Sequence, residues 1–199
     1  NGVVHVPFSS LGVKKMGNQY TIGREGDPKT LVHEITHQMS LPSTERPGPM
    51  FPIWFAEGVA EYVGTTPYQS GYFNFNQTKM TLVEVMTGYD KKTRMGRNIG
   101  KDFKIPSLSQ FINQSIQQFQ GSEPQLGYGF ASLLFYYFCH IDGKGDGARL
   151  KEYVKAIQEG KGQEEANNAL LDGRTWAELA SEVSNGMRKS LKLKPTIGE

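Results

Sequence analysis

Two histidines and a glutamate lie close together in the segment His33-Glu34-Ile35-Thr36-His37. On a helix, residues four apart lie on one face with about 6 Å of rise between them, so both imidazoles can bind one metal ion. Glu34 lies between the two histidines in angle, where its carboxylate can take a proton from a metal-bound water. The segment therefore predicts a zinc site with a general base. The alternative is a chance arrangement on a surface helix.

A catalytic zinc site needs three protein ligands and one open position. Cys139 is the only cysteine, so a third ligand must be a histidine or a carboxylate, and Ser43 stands where the metzincin spacing requires a histidine. Glu57 and Glu61 follow on a second predicted helix. Glu57 can complete the ligand set, and Glu61, one turn later, can accept the other ring N–H of a ligand histidine. The alternative for this pair is a solvated acidic stripe.

The segment 54–62, Trp-Phe-Ala-Glu-Gly-Val-Ala-Glu-Tyr, and the histidine motif together resemble the gluzincin metallopeptidases, in particular the peptidase MA-like families. In those families the third ligand is the Glu of a Trp-x-x-Glu-Gly-x-Ala-x-Tyr segment. The resemblance implies that one Zn²⁺ ion is bound by His33, His37 and Glu57. It also implies that Glu34 is the base and that Glu61 is a carboxylate oriented toward a ligand histidine.

A later segment that begins at Tyr128 is similar to the aminopeptidase-type gluzincins, in which a tyrosine begins a helix. The resemblance implies that Tyr128 is catalytic and donates its O–H to the oxyanion formed on the substrate carbonyl. Packing at a helix start is the competing interpretation. The Gly-x-Met-Glu-Asn segment that binds a free amine in the aminopeptidases has no counterpart before His33. Specificity for amino termini is therefore not indicated.

Two helices must bring these side chains together. Asp27 and Pro28 are typical of a helix start, and the helix is predicted to run from Pro28 to about Met39. Leu31, Ile35 and Met39 recur every four residues and predict one buried stripe. A proline-rich stretch, predicted to be a stiff loop, leads to a second helix over Pro52–Val63. Gly58 within that helix predicts a close approach to the neighbouring helix near the metal.

Strands are predicted before the first helix, at Gly2–Phe8 and at Gln19–Gly23. The strand near Tyr20 precedes the histidine helix, and we hypothesise that its edge accepts an extended peptide as a further strand. Further helices are predicted at Met80–Thr87, Pro106–Phe119, Gln125–His140, Ala148–Gln158, Gln163–Leu171 and Trp176–Leu191. Residues 65–77 are predicted as a loop or irregular hairpin and residues 90–104 as a solvated loop.

The alternating aspartates and glycines of Asp142–Gly147 are similar to a calcium-binding loop, but Lys144 and Tyr153 occupy positions where oxygen ligands are needed. We therefore predict a connection between helices there. The fold class that follows is α+β and zincin-like, with a small N-terminal sheet packed on the histidine helix and a mostly helical C-terminal part. One domain is expected over residues 1–199, with the strands, the histidine helix and the third-ligand helix in 1–64 and the helical part in 65–199.

Composition limits the function further. The 199 residues are 37% hydrophobic, and 22 Lys and Arg balance 20 Asp and Glu, which argues against nucleic-acid binding. No apolar run reaches the length of about 18 residues that a membrane span needs. The chain starts at Asn1 rather than at Met, so any targeting segment is not visible in it. We expect a secreted or cell-envelope protein, and a monomer.

The predicted function is hydrolysis of peptide bonds in a peptide or protein substrate, by a zinc-bound water that Glu34 activates. The alternative is an inactive zincin-like domain that serves protein interaction or binding in the cell envelope. The presence of Glu34, whose loss would abolish chemistry without abolishing metal binding, favours the enzyme.

Overall fold

The computed structural model describes residues 13–16, 19–22, 28–40, 48, 50–88, 96–121 and 123–199. The helices are α1 (Pro28–Ser40), α2 (Ile53–Thr65), α3 (Thr78–Thr87), α4 (Leu108–Asn113), α5 (Ile116–Phe119), α6 (Pro124–His140), α7 (Ala148–Gln158), α8 (Gln163–Leu171) and α9 (Trp176–Leu191). The strands are β1 (Val13–Met16), β2 (Gln19–Ile22), β3 (Tyr68–Gln69), β4 (Tyr72–Phe73), β5 (Lys104–Ile105) and β6 (Thr196–Ile197). The described residues are thus mostly helical with a few short strands, which agrees with the α+β class.

The strands form two-stranded sheets. β1 and β2 are antiparallel, as are β3 and β4, whereas β5 and β6 are parallel. β2 confirms the strand predicted at Gln19–Gly23, and the hairpin of β3 and β4 confirms the interpretation of residues 65–77. The strand predicted at Gly2–Phe8 lies outside the described residues. Pairing of β5 with β6 ties the C terminus to the start of α4, a contact between distant short segments that no local pattern predicts.

The single helix predicted over Pro106–Phe119 is wrong. Ser107 caps α4 by accepting a hydrogen bond from the backbone N–H of Gln110 at 3.1 Å. Between α4 and α5, Gln114 has an extended backbone. Ser115 and Gln118 then form a reciprocal capping box that begins α5. Two serines that compete for backbone donors therefore divide one apolar pattern into two short helices.

The core lies between α2 and α6. Trp54 of α2 is fully buried, and its indole N–H donates to the Tyr153 hydroxyl at 3.2 Å. A Cβ on Gly58 would lie 2.7 Å from the carbonyl oxygen of Ala131 in α6. Gly58 therefore permits a close helix contact, as predicted, but with α6 at the core rather than with α1 beside the histidines. Tyr136 and Tyr137, also on α6, are buried in this core.

Helix α1 packs against α2 through its histidine face. A Cβ on Gly64 would lie 3.1 Å from the Lys29 carbonyl oxygen and 3.6 Å from the His33 Cβ, so the C-terminal end of α2 runs close beside α1. The predicted buried stripe of α1 is wrong at Ile35 and Met39, which are 38% and 71% exposed. The apolar period predicted the wrong face of α1 to be buried, because the face that packs against α2 carries the polar histidines.

Among the described residues the main partner of α1 is α2. The predicted packing of an N-terminal sheet on α1 involves residues 2–8, which lie outside the described residues, and it stays a prediction. Asp27, predicted to cap α1, lies outside the described residues. None of the described helices combines the length and the apolar character that crossing a bilayer requires.

Candidate metal centre

The two histidines of α1 and the first glutamate of α2 converge on one point. The Nε2 atoms of His33 and His37 lie 3.0 Å apart. Oε2 of Glu57 lies 3.2 Å from Nε2 of His33 and 3.3 Å from Nε2 of His37. The side chains are 14%, 15% and 13% exposed, so the cluster is partly buried but open on one side. These three residues can hold a metal ion.

The distances fit a small metal ion. Four ligand atoms arranged tetrahedrally at bonds of about 2.0–2.1 Å lie about 3.3–3.4 Å from one another. The observed edges of 3.0–3.3 Å therefore form one face of such a tetrahedron with little adjustment. Two imidazole nitrogens and one carboxylate oxygen form a donor set that leaves a fourth position for a non-protein ligand.

The electrostatics favour positive charge at this point. Burial opposes the charged form of His33, but hydrogen bonds and charges from Glu57 and Glu61 outweigh it and raise the pKa of His33 to about 9. Burial likewise opposes ionisation of Glu57, but His33 and His37 lower the pKa of its carboxyl to about 2. Glu57 is therefore ionised at neutral pH, as a metal ligand must be.

Glu61 lies behind His33, one helical turn after Glu57. Its Oε1 is 3.3 Å from Nδ1 of His33, the ring nitrogen opposite the one that faces Glu57. Burial raises the pKa of the Glu61 carboxyl, but His33 and Arg97 lower it below its ordinary value. The carboxylate can thus accept a hydrogen bond from Nδ1–H of His33, which leaves the lone pair of Nε2 available to bind a metal ion.

Arg97 completes this arrangement and was missed by the sequence reasoning. Its guanidinium pairs with both carboxylate oxygens of Glu61, the Nε–Oε2 distance being 3.3 Å, and its Nη1 donates to Gln125 at 3.1 Å. Residues 90–104 were predicted as a solvated loop. No spacing links a loop arginine to a helix 36 residues earlier, so the sequence carried no signal for this pair.

His37 differs from His33 on its outer side. Its Nδ1 is buried and has no hydrogen-bond partner among the residues that the structure describes. Within the described part of the chain, the two histidines therefore present equivalent Nε2 atoms but unequal support, since a carboxylate lies behind His33 and none lies behind His37. The sequence did not distinguish the two, because the spacing treats them alike.

The predicted base and the predicted tyrosine line the same cavity. Glu34, His33 and Tyr128 are all in the wall of a cavity of about 740 Å³. The Tyr128 ring lies under the Arg97 guanidinium, 4.6 Å from ring centroid to Cζ, and edge-on to Phe119. Burial raises the pKa of the Tyr128 hydroxyl, and the nearby Glu57 carboxylate raises it further, so the hydroxyl keeps its proton at neutral pH.

The remaining histidine and cysteine of the described residues serve other contacts. Nε2 of His140 is 2.9 Å from the Tyr62 hydroxyl, away from the metal-ligand group. Burial raises the pKa of the Cys139 thiol to about 12, which makes it a poor nucleophile or ligand.

Comparison with known proteins identifies no relative of this chain. No family model, no curated protein sequence and no solved structure matches the chain at a significant level. The interpretation of the site therefore depends on its residues and their geometry: two imidazole nitrogens, one ionised carboxylate and an adjoining cavity.

Proposed function

We propose that the protein is a zinc-dependent peptidase of the gluzincin type, with a zincin-like fold, that hydrolyses peptide bonds in a peptide or protein substrate. The observation that carries the proposal is the triangle of His33 Nε2, His37 Nε2 and Glu57 Oε2, with edges of 3.0–3.3 Å. One of its members, His33, lines a cavity together with Glu34.

One zinc ion is the metal that this donor set favours. Calcium and magnesium prefer sites made mainly of oxygen, whereas imidazole nitrogen with one carboxylate is typical of zinc. When bound, zinc supplies a Lewis acid that polarises a carbonyl and lowers the pKa of water to about 7. Nothing in this donor set calls for a second ion, and no other group of ligands occurs among the described residues.

The residues around the metal would perform the proton transfers. Glu34 accepts the proton of the attacking water and then delivers it to the leaving amine. Glu61 orients His33 through Nδ1, and Arg97 keeps the Glu61 carboxylate ionised and in place. Tyr128, protonated at neutral pH, donates its O–H to the carbonyl oxygen as negative charge develops there.

The single-domain organisation, the monomeric state and a secreted or cell-envelope location belong to the same proposal. The near balance of charge supports a protein or peptide partner over nucleic acid. The competing function is an inactive zincin-like binding module. The two differ in one property, the ability to break a peptide bond.

The test compares the zinc-loaded chain with its Glu34→Gln variant in zinc content and in hydrolysis of a peptide library. Both proteins should bind one zinc ion per chain, because Glu34 is not a ligand. The native chain should cleave library peptides, and the variant should be slower by about 10²–10⁴-fold, the range for loss of a general base.

The matched control is Glu84→Gln. Glu84 is an exposed glutamate of α3 that does not line the cavity shared by His33 and Glu34, so its loss should change neither zinc content nor rate. If the native chain and both variants bind zinc and none of them cleaves any peptide, the peptidase proposal is wrong and the inactive binding module stands.

A further inference from the structure

Three cavities lie side by side along the N-terminal end of α6. The cavity at the metal centre shares Arg97 and Gln125 with a neighbour of about 500 Å³. That neighbour shares Glu123 and Leu126 with a third cavity of about 590 Å³. Adjoining cavities have wall residues in common, and we call the three cavities together the groove. It leads from the metal centre across the first turn of α6 to α4 and α5.

The far end of the groove differs chemically from the metal centre. Uncharged hydrogen-bonding side chains line this third cavity, namely Gln110, Asn113, Gln114 and Gln118. The apolar part of its wall includes Phe111 and Phe119. Among its lining residues only Glu123 is ionisable. Such a surface suits uncharged polar side chains and backbone amides, and it offers no cation for an acidic group.

Two amides at the far end have hydrogen-bonding capacity left. Nε2 of Gln114 is buried and has no partner in the part of the chain that the structure describes. Gln110 is exposed, and only its backbone N–H takes part in the cap of α4. Asn113 and Gln118, by contrast, are already bonded, to Asn167 and to the Ser115 backbone. Of the two, the exposed amide of Gln110 is the group that a bound chain can contact.

We propose that the groove binds an extended polypeptide, so that the enzyme selects substrates whose residues remote from the scissile bond are uncharged and polar. This inference rests on the proposed function and names its substrate class. The row of cavities carries it, because it begins at the cavity that His33 and Glu34 line and ends at the uncharged polar side chains of the third cavity. The far cavity contacts the substrate at a distance from the scissile bond.

The geometry sets a length for the substrate. A helix with its side chains is about 10–12 Å across, so a chain at about 3.3 Å per residue needs about three to four residues to cross α6. Residues on both sides of that crossing must also be occupied. A peptide of about four residues cannot fill the groove, whereas one of about twelve can.

Binding is measured with the zinc-loaded Glu34→Gln chain, which does not consume its ligand, by fluorescence anisotropy of labelled neutral peptides of the two lengths. The long peptides should bind about tenfold tighter or more. Gln110→Glu should weaken binding of the long peptides several-fold and leave binding of the short ones unchanged, because it replaces an amide that can donate a hydrogen bond with a carboxylate that can only accept one. Glutamate is favourable at this third helical position, so the variant should fold.

The matched control is Gln117→Glu, an exposed first-turn residue of α5 that lines none of the three cavities. The inference is overturned if the two lengths bind equally, if Gln110→Glu weakens both alike, or if Gln117→Glu has the same effect. It is also overturned if a neutral oligosaccharide displaces the long peptide and unlabelled peptide does not.

Failure of the inference and failure of the proposed function can be told apart. If native protein cleaves short and long peptides with equal kcat/KM, the groove has no role and the peptidase proposal stands. If no peptide is cleaved but binding still depends on length and on Gln110, the groove is a peptide-binding site and the peptidase proposal falls.

Discussion

The molecule contains two partly buried ionic clusters that use their hydrogen bonds in opposite ways. At Asp142, a 3%-exposed carboxylate accepts from Nη1 of Arg149 at 2.8 Å, from Nη1 of Arg174 at 3.1 Å and from the Tyr137 hydroxyl at 3.4 Å. Arg149 also donates to Asp172, while Arg174 donates to the carbonyl of Leu171 and to another carboxylate. Donors and acceptors alternate, and each group has a partner of the opposite kind.

At His33, by contrast, the electron-pair donors of three side chains face one another, an arrangement that we call the convergent cluster. Two ring nitrogens 3.0 Å apart can share only one proton, and both also lie within 3.3 Å of the same carboxylate oxygen of Glu57. Three electron-pair donors in contact are poorly satisfied by hydrogen bonds alone. Burial and charge therefore do not distinguish the structural cluster at Asp142 from the candidate metal site at His33. What distinguishes them is whether lone pairs meet donors or meet one another.

The largest expected effect comes from removing one ligand of the convergent cluster. His37→Ala removes one of three ligands, and if the ligands share a binding free energy of about 10 kcal/mol, zinc affinity should fall by about 10²–10³-fold. Competition with a chromophoric chelator measures the change. His140→Ala is the control, because this histidine bonds to Tyr62 and not to the ligand group. Unchanged zinc affinity in His37→Ala would refute the metal centre.

The next largest effect is expected in the Asp142 cluster, where donors and acceptors alternate. Asp142→Ala leaves two guanidinium groups without their shared acceptor, and the free energy of unfolding should fall by about 3 kcal/mol. We take the lower end of the usual range because Arg149 is 27% exposed. Urea unfolding measures this, and zinc affinity should not change in the folded protein.

Asp172→Ala provides the contrast within that cluster. This carboxylate is 61% exposed and bonds to Arg149 alone, so its loss should cost about 1 kcal/mol or less. If Asp142→Ala and Asp172→Ala destabilise equally, burial is not what makes the Asp142 cluster structural.

The two clusters also differ in what the sequence could predict. His33, His37 and Glu57 were predicted because the helical period fixes which side chains of α1 share a face, and the Trp-x-x-Glu-Gly pattern marks the second helix. The Asp142 cluster was interpreted only as a connection between helices, with a calcium loop rejected. Arg149 belongs to α7 and Arg174 to the turn between α8 and α9, and pairing between such separate segments leaves no local period.

The same reasoning explains the errors in the fold. Helices α7, α8 and α9 match their predicted bounds: α7 and α8 begin directly after glycines, and Thr175 and Glu178 form a capping box at the start of α9. On α1 the apolar period identified Ile35 and Met39 as buried, whereas the packed face carries the histidines. Polar residues at a functional site override the pattern that elsewhere marks the core.

The smallest expected effect concerns Glu61, which takes part in both kinds of arrangement. It accepts from Arg97 as Asp142 does from its arginines, and it contacts Nδ1 of His33 as an outer partner of the metal centre. Loss of such a partner usually lowers metal affinity by about 10–100-fold. Glu61→Gln and Glu61→Ala divide that range, with zinc affinity as the measurement.

Gln keeps an oxygen that can accept the Nδ1–H of His33 but removes the charge, so Glu61→Gln should lie near tenfold, whereas Glu61→Ala should approach 100-fold. The difference between the variants reports the orienting hydrogen bond, and the remainder reports the charge. Equal losses would mean that Glu61 acts through charge alone. If neither variant changes zinc affinity, Glu61 belongs with Asp142 as a structural acceptor, and the convergence at the metal centre ends at Glu57.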